Sequence, residues 1–437
     1  MVLGRAGLNT MEKPDVIVVG AGPAGSAAAF TLAKKGLNVL LVERGKTPGE
    51  KNVSGAVLFG QVLNRLIPNF WDDAPIERFV KTHRLNILSK GSWVSIDFTS
   101  KHFTKPPFNG ITVIRSKFDK WFAKKAEEAG ALLATGIRVD ELLWKDNRVA
   151  GIRAGNDEVW ADVVIAADGV NSLLAKEAKL RKHHRPEFWG LGVKEVISLP
   201  RDVIDERFCL SDREGAAFSF LGCSKGYPGG GFVYTNLDTL AIGVVVHLTA
   251  FKDAKIRASD LVEDFKSFPV VERLIRGGKV LEYSAHLVPE GGYTGLSKLY
   301  TDGLLVTGDA AGFALNIGYS VEGINFAIAS GVAAAKTAVL AKERGNFSKK
   351  TMKNYLKFLH QDFVLQDLIT FKRAPAFLRN PNVYNIYPEV ITSIAEELFA
   401  SRGTSRRRLL KVVLSNWRKQ SSLITLIRDG IQAVRAL

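Results

Sequence analysis

The order of apolar and polar positions divides the chain into a framework of buried strands and a helical end. Asp15 to Val19 reads DVIVV, a continuous apolar run of the kind a parallel strand buried on both faces requires, and NVLLVE (38–43) is a second. Between them GAGPAG opens a small-residue helical stretch that runs to Lys35 and is closed by Gly36. Strand, glycine turn, helix and strand within about 30 residues make one βαβ unit. Further buried runs at DVVIAAD (162–168) and GLLVTGD (303–309) each end in aspartate. ITVIRSKFDKWFAKKAEEAG predicts a strand end entering an amphipathic helix, with Phe118, Trp121, Phe122 and Ala126 on one face and Gly130 as its stop.

Other runs alternate as half-buried strands do. RLNILS and WVSIDF are two, and residues 190–295 hold several more, such as FVYTNL and LAIGVVVHL, which predicts an antiparallel sheet inserted into the α/β framework. From Val321 onward the pattern is helical. The fold class that follows is α/β, Rossmann-like, with an inserted antiparallel β-sheet and a helical C-terminal region.

Composition narrows the chemistry. Two cysteines, Cys209 and Cys223, in 437 residues cannot hold a four-thiolate zinc or ligate an iron–sulfur cluster within this chain. They read as reduced, buried small hydrophobes in an intracellular protein. The histidines, His83, His183, His184 and His286 among them, have no metal-binding spacing and read as packing or surface residues, so no metal site is expected. Met1 to Asp15 lacks the apolar core of a secretory signal, and no run reaches the ~18 apolar residues of a membrane-spanning helix.

The glycine turn carries the first chemical signal. In Gly20-Ala21-Gly22-Pro23-Ala24-Gly25 the first glycine makes the turn, the second admits a pyrophosphate to the backbone, and the third packs helix on strand. Glu43, at the end of the second strand, is placed to accept a ribose 2′-hydroxyl. This unit does not separate NAD from FAD. Gly308-Asp309-Ala310-Ala311-Gly312 does, because a second acidic strand end suits the ribityl and pyrophosphate portion of an extended FAD, with a following helix start near Ala310 aimed at the flavin. Asp309 as a plain helix cap is the competing reading.

With Arg115-x-x-Phe-Asp119 and Ala167-Asp168-Gly169, these motifs make residues 14–390 resemble the glutathione-reductase-related FAD superfamily, in the branch of aromatic hydroxylases, geranylgeranyl reductases and electron-transfer-flavoprotein:quinone oxidoreductases. GEKNVSGAVL (49–58), GYPGGGFVYTNL, GGKVLEYSAHLVPEGG (277–292), GDAAGFALNIGYSVEGINFAIASG and FVLQDLITFKRAPAFLRNPNVYNIYP (363–388) are similar to the FixC-like subunits of the last group. The resemblance implies an FAD-dependent oxidoreductase that passes electrons from an electron-transfer flavoprotein to a membrane quinone. It implies that Gly20, Gly22, Pro23, Ala24, Gly25, Glu43 and Arg44 hold the ADP half, that Arg115 and Val139 clamp it, and that Asp309 meets the ribityl chain. Ser54, Gly55, Asp168, Gly169, Gly308, Gly312 and Asn316 complete the implied cofactor set, and Gly229 and Gly230 match the family's quinone-oxygen contacts. No residue of the chain is expected to act as a nucleophile, since the flavin carries the redox change.

The implied division is an FAD-binding part at 12–85, a continuation with interleaved strands at 86–189, the inserted quinone domain at 190–295, a closing FAD segment at 296–345, and a helical region with a basic tail at 346–437. Single-chain members of the group carry a cysteine-ligated [4Fe–4S] domain. Its absence here implies a separate small ferredoxin-like subunit in a multi-subunit, FixABCX-like complex, of a type that in some cases bifurcates electrons.

Charge adds the last feature. Sixty basic against 44 acidic residues give +16, and the stretch from Ser401 onward has nine cations and one acid, Asp429. In that tail Leu409, Leu410, Val413, Trp417, Leu423, Leu426 and Ile427 alternate with the cations at near-helical spacing. An anionic membrane surface, a partner subunit and ordinary packing all fit that pattern; nucleic acid is not expected. The first reading makes the protein peripheral, on the cytoplasmic face of a membrane. The rival functions are a prenyl-reducing, geranylgeranyl-reductase-like enzyme and a non-catalytic flavin-binding anchor.

Overall fold

The computed structural model describes residues 13–50, 56–181, 185–252 and 256–437. The strand Val16–Val19 is fully buried and pairs in parallel with Val39–Glu43 on one side and Val163–Ala166 on the other. Leu132–Thr135 and Leu304–Val306 extend this parallel sheet at its two ends, and Tyr300–Thr301 closes one edge antiparallel. Continuous burial on both faces explains why these runs carry no polar alternation.

Two helices cover one face. Pro23–Lys34 follows the glycine turn, and Ile324–Glu343 packs directly on it: a Cβ on Gly331 would lie 2.1 Å from Ala24 O. The second helix is long and apolar enough to span a bilayer, but most of it is buried inside the protein, so its hydropathy belongs to the core. Arg115–Glu128 forms as its apolar spacing predicts, burying Phe118, Phe122 and Ala126, with Gly130 at φ +111° after its end. Three short strands, Glu141–Lys145, Arg148–Ala154 and Asp157–Trp160, make a separate antiparallel sheet.

The second large sheet has nine strands and its own core around Phe218, Phe220, Val233, Ile242 and Phe265. Trp189–Ser198, Glu214–Leu221, Gly229–Thr235, Thr239–His247 and Lys279–Pro289 come from the segment 190–295, as the alternation predicts. Four further strands do not: Ala56–Phe59, Ile76–Leu88, Trp93–Thr99 and Gly110–Val113 join the same sheet. The expected boundary at 85/86 therefore cuts a strand, and the inserted layer begins well before 190. The link is the parallel pairing of Glu214–Leu221 with Ile76–Leu88, a contact between distant segments that local alternation cannot report.

The C-terminal region is mostly helical, with residues 400–408 outside any helix. The basic tail is two helices rather than one, Leu409–Gln420 and Leu423–Ala436, because Ser421 is extended and Ser422 Oγ accepts the Thr425 N–H at 3.1 Å to restart the helix. Val412 and Trp417 are buried, and the Trp417 ring packs on Tyr387 of the helix Asn382–Phe399. Ile424, Ile427, Ile431 and Val434 stay exposed on one face.

Candidate functional site

The carboxyl ends of the parallel strands and the inner face of the nine-stranded sheet enclose a cavity of about 740 Å³, within the range of about 300–1,000 Å³ typical of ligand pockets. Its first wall is the glycine turn. Gly20 sits at φ +104°, and a Cβ there would strike Ala167 O at 2.3 Å. A Cβ on Gly22 meets nothing within 4 Å, so the backbone at this point borders open space. The helix Pro23–Lys34 has no side-chain cap and no acid in its first turn, which leaves its leading N–H groups free for an anion. Pro23 and Ala24 line the cavity beside them.

Glu43 is held where its strand ends. One carboxylate oxygen accepts the Ala21 N–H at 2.9 Å and the other the Gly45 N–H at 2.7 Å, each keeping a lone pair for a hydroxyl. Arg44 and Val139 line the same end. Arg115 lies across the cavity, its Nε and Nη2 donating to the two oxygens of the fully buried Asp119 at 2.9 and 2.8 Å. That fork fixes the guanidinium plane, so Asp119 is a positioning residue whose signal is its spacing of four on a helix.

Asp168 serves two sides. Its Oδ2 caps the helix Leu173–Glu177 through the Leu174 N–H at 3.1 Å, whereas Oδ1 is buried with no partner among the described residues. Burial raises its pKa. Gly169 follows at φ +74°, on the cavity wall. Gly308, at φ +62°, approaches Ala24 so closely that a Cβ would lie 2.8 Å from the Ala24 Cβ. Asp309 faces the cavity, its carboxyl raised by burial against the opposing pull of Arg115 and His286.

The helix expected near Ala310 is a single tight turn, Gly308–Ala310. Gly312 at φ +91° turns the chain away, and the hairpin Leu315–Asn316 with Val321–Glu322 intervenes before the long helix starts at Ile324. Gly323 and Ile324 line the cavity, so it is this later helix that points its N-terminus there, and Asp309 does not cap it. Gly312 lies off the cavity, against Gly295 O and Arg181. Gly25 is likewise a packing residue outside the lining. Ser54 and Gly55, with His183 and His184, lie outside the described residues.

Gly229 and Gly230 line the far end. Their lack of side chains also has a reason internal to the sheet: a Cβ would lie 2.3 Å from Val245 O at the first and 2.9 Å from Phe220 O at the second. Between the two ends the sheet presents Lys194, buried over the Phe232 ring, with its pKa lowered to about 7 by burial and by Arg115. His286, which its sequence context reads as a surface or packing residue, lines the cavity too. Glu290, His247 and Tyr384 complete this wall. None of these five has a sequence signal beyond lying on or beside an alternating strand or on a helix, and the face that Lys194, His247, His286 and Glu290 present is set by the pairing of distant strands.

The residues present fit a dinucleotide with an extended second half: open backbone at Gly22, an orphaned buried oxygen on Asp168, and acids at Glu43 and Asp309 at separate strand ends. Among the described residues no cluster of three metal-ligating side chains occurs.

Comparison with known proteins places the chain. Residues 15–177 match the family of FAD dependent oxidoreductases, and residues 374–437 match the ETF-QO/FixC family C-terminal domain. The chain is 43% identical to protein FixC of Escherichia coli K12, over 97% of this chain and 99% of that one. It is 42% identical to the probable electron transfer flavoprotein-quinone oxidoreductase YdiS of the same strain, over 98% and 99%. Among solved structures, a geranylgeranyl bacteriochlorophyll reductase-like protein from Thermoplasma acidophilum superposes with a TM-score of 0.72 at 23% identity, covering 96% of this chain and 99% of that one, which is a likeness of fold.

Proposed function

The chain belongs to the ETF-QO/FixC family of FAD-dependent electron-transfer oxidoreductases, and on that premise we propose that it takes electrons from an electron-transfer flavoprotein and delivers them to a membrane quinone. The observation that carries this reading is one continuous cavity, which runs from the glycine turn and Glu43 at one end to Gly229 and Gly230 at the other. One continuous space thus has room for a cofactor and for an acceptor beside it.

FAD, when bound, supplies the electron chemistry; the chain supplies position, electrostatics and exclusion of water. In this reading the backbone at Gly20, Gly22, Pro23 and Ala24 binds the pyrophosphate, and Glu43 takes the ribose hydroxyls. Arg44 and Val139 flank the ADP half, Arg115 is aimed by Asp119, and Gly308 and Asp309 meet the ribityl chain beside Asp168 and Gly169. Lys194 and His286 bring positive or polarisable groups to the sheet side of the cavity, where charge would grow on reduction. Gly229 and Gly230 hold a quinone oxygen.

The surface supports a peripheral seat. The helix Leu423–Ala436 exposes Ile424, Ile427, Ile431 and Val434 on one face, in a tail rich in cations, as a helix lying in an anionic bilayer interface requires. A small iron–sulfur subunit completes the complex, since this chain has only two cysteines, Cys209 exposed and Cys223 buried.

The test is a reconstitution. Protein loaded with FAD is to be mixed with a reduced electron-transfer flavoprotein and a short-chain quinone, following flavin absorbance. Reduction by the first and reoxidation by the second support the proposal. Reduction by NADPH coupled to loss of prenyl double bonds would replace it with the reductase, and bound FAD that never turns over would replace it with the anchor.

A further inference from the structure

Glu290 follows the edge strand Lys279–Pro289, and its backbone N–H donates to Phe188 O at 2.8 Å, so the strand register fixes where its side chain starts. Its Oε2 accepts Asn316 Nδ2 at 2.9 Å, while Asn316 Oδ1 is taken by the Gly318 N–H at 2.9 Å. The Asn316 amide orientation is therefore set from both ends. Among the described residues Glu290 Oε1 has no hydrogen-bond donor, and the side chain lines the cavity.

Room for this carboxyl is made by a missing side chain. A Cβ on Gly190 would lie 3.2 Å from Glu290 Cγ, and is also hemmed in by Val245 and Val288 at 3.0 and 3.1 Å. Gly190 is the partner of His247 on the adjoining strand, and the His247 N–H donates to Pro228 O, the residue before Gly229, at 2.9 Å. His247 is 9% exposed, lines the same cavity, and its Nδ1 has no partner among the described residues. On the helix Asn382–Phe399, Tyr384 stands by the Gly229 N–H, within electrostatic reach of Glu290, with its own proton given to Leu378 O at 2.6 Å. A carboxyl, two glycines and an unpartnered imidazole thus share one end of the cavity.

Quinone reduction needs two protons as well as two electrons, and a buried acceptor must find at least the first proton on a side chain. Tyr384, His247 and Glu290 are the titratable groups tied to the glycine edge by the contacts above. Burial and the nearby Glu290 push the Tyr384 hydroxyl up, so it holds its proton; burial, with Arg379 behind it, brings His247 down to about 4, so it carries none to give near neutrality. Burial raises Glu290 to about 7, so it still carries one there. Among the described residues no cation pairs with Glu290, and Arg379 and Glu187 lie beside His247.

Resting on the quinone-reducing reading above, we propose that Glu290 is the catalytic acid for the quinone oxygen held at Gly229 and Gly230, with Asn316 as its positioning residue. As two electrons reach the quinone from reduced flavin, the Glu290 O–H bond breaks and an O–H bond forms on the quinone oxygen. Glu290 is left as a carboxylate that keeps the Asn316 N–H. Water supplies the second proton of the hydroquinone and restores the one on Glu290. His247 Nδ1 is a site for that water.

The test uses the FAD-loaded protein, its Glu290→Gln variant and its Asn316→Ala variant. Infrared difference spectra of wild type against Glu290→Gln, titrated with pH and without turnover, are expected to contain a protonated carboxyl that ionises near pH 7, and to place it higher in Asn316→Ala, which lacks the hydrogen bond that favours the carboxylate. Protein reduced with dithionite is then mixed with a short-chain benzoquinone. Wild-type reoxidation slows as pH rises above about 7, and Glu290→Gln is slower by about a hundredfold with that pH dependence gone, while its reduction by dithionite is unchanged. If wild type is reoxidised and Glu290→Gln matches it in rate and pH profile, this inference falls alone. If wild type is not reoxidised by the quinone, the inference falls together with the quinone reading.

Discussion

A Cβ on Gly25 would lie 1.8 Å from the carbonyl oxygen of Gly20, whereas one on Gly22 would meet nothing within 4 Å. Three glycines of one motif therefore have two different jobs, and substitution separates them. Gly25→Ala forces the helix Pro23–Lys34 off its strand and costs about 3 kcal/mol or more, seen as insoluble protein or a collapsed melting temperature. Gly22→Ala keeps the apo melting temperature within a few degrees yet weakens FAD at least tenfold in a fluorescence titration, because the methyl takes the place of the pyrophosphate. Equal effects of the two changes on folding would contradict this division.

Arg78 tests the second sheet. It is fully buried, and its guanidinium donates to Asn236 O at 2.6 Å, Glu214 O at 2.9 Å, Leu237 O at 3.1 Å and the Asp205 carboxylate. One side chain thus ties the strand Ile76–Leu88 to a turn, a neighbouring strand and the helix Arg201–Phe208. Arg78→Met strands those acceptors and is expected to cost about 3–5 kcal/mol in urea denaturation. A loss under 1 kcal/mol would mean the acceptors find water instead.

Glu290 and Lys194 bend the dependence of stability on pH in opposite senses. Burial raises Glu290 from 4.5 to about 7, so across that window the folded chain keeps a proton the unfolded chain has lost, and stability falls as pH rises. Burial lowers Lys194 from 10.5 to about 7, so between 7 and 10.5 the unfolded chain binds the extra proton and stability rises with pH. Melting of the apo protein across both windows is expected to lose the falling limb in Glu290→Gln and the rising limb in Lys194→Met. Parallel curves for wild type and both variants would refute it.

What was legible in the sequence was local. The βαβ unit, its glycines, Glu43 and the buried strand that leads into Asp309 are each set within a few residues, so motif and periodicity found them. The contents of the cavity's sheet wall were not legible, because Lys194, His286 and Glu290 reach it only through the pairing of Trp189–Ser198 with Thr239–His247 and Lys279–Pro289. The boundary at 85/86 failed for the same reason. Around Gly312 the ambiguity is of another kind: a glycine after a strand-end aspartate fits both a helix start and a turn, and the left-handed backbone there decides for the turn.

Asp429, the one acid of the basic tail, works inward. It is almost wholly buried and accepts Tyr387 Oη at 2.6 Å and Asn382 Nδ2 at 2.8 Å. Burial opposes its charge, but these hydrogen bonds outweigh it and bring the carboxyl down to about 2. The contribution to docking of the terminal helix is therefore full above pH 3.8 and is lost as pH falls through about 2. Asp429→Ala leaves the half-buried Tyr387 and Asn382 donors without their acceptor and loosens the helix by about 1–3 kcal/mol. Faster amide exchange confined to residues 423–436 would report it, and unchanged exchange would refute it.

Because Asp429 holds that helix down, its exposed face can be tested without deleting it. Truncating the tail would also remove Leu437 from the cavity wall and Trp417 from the Tyr387 ring, so lost lipid binding in a truncation would be ambiguous. Ile427 and Ile431 are 63% and 48% exposed, one turn apart, and their replacement costs little packing. An interfacial helix gains from apolar burial and from attraction of its cations to anionic lipid. Ile427→Glu with Ile431→Glu removes the first and opposes the second, so flotation with phosphatidylglycerol vesicles is expected to fall at least tenfold while the melting temperature and bound FAD stay near wild type. Wild-type protein should also leave the vesicles at high salt more readily than at low salt, since its cations are screened. If the double variant floats as well as wild type, the apolar face meets a partner subunit or solvent, and the membrane seat of the proposal is lost while its electron chemistry stands.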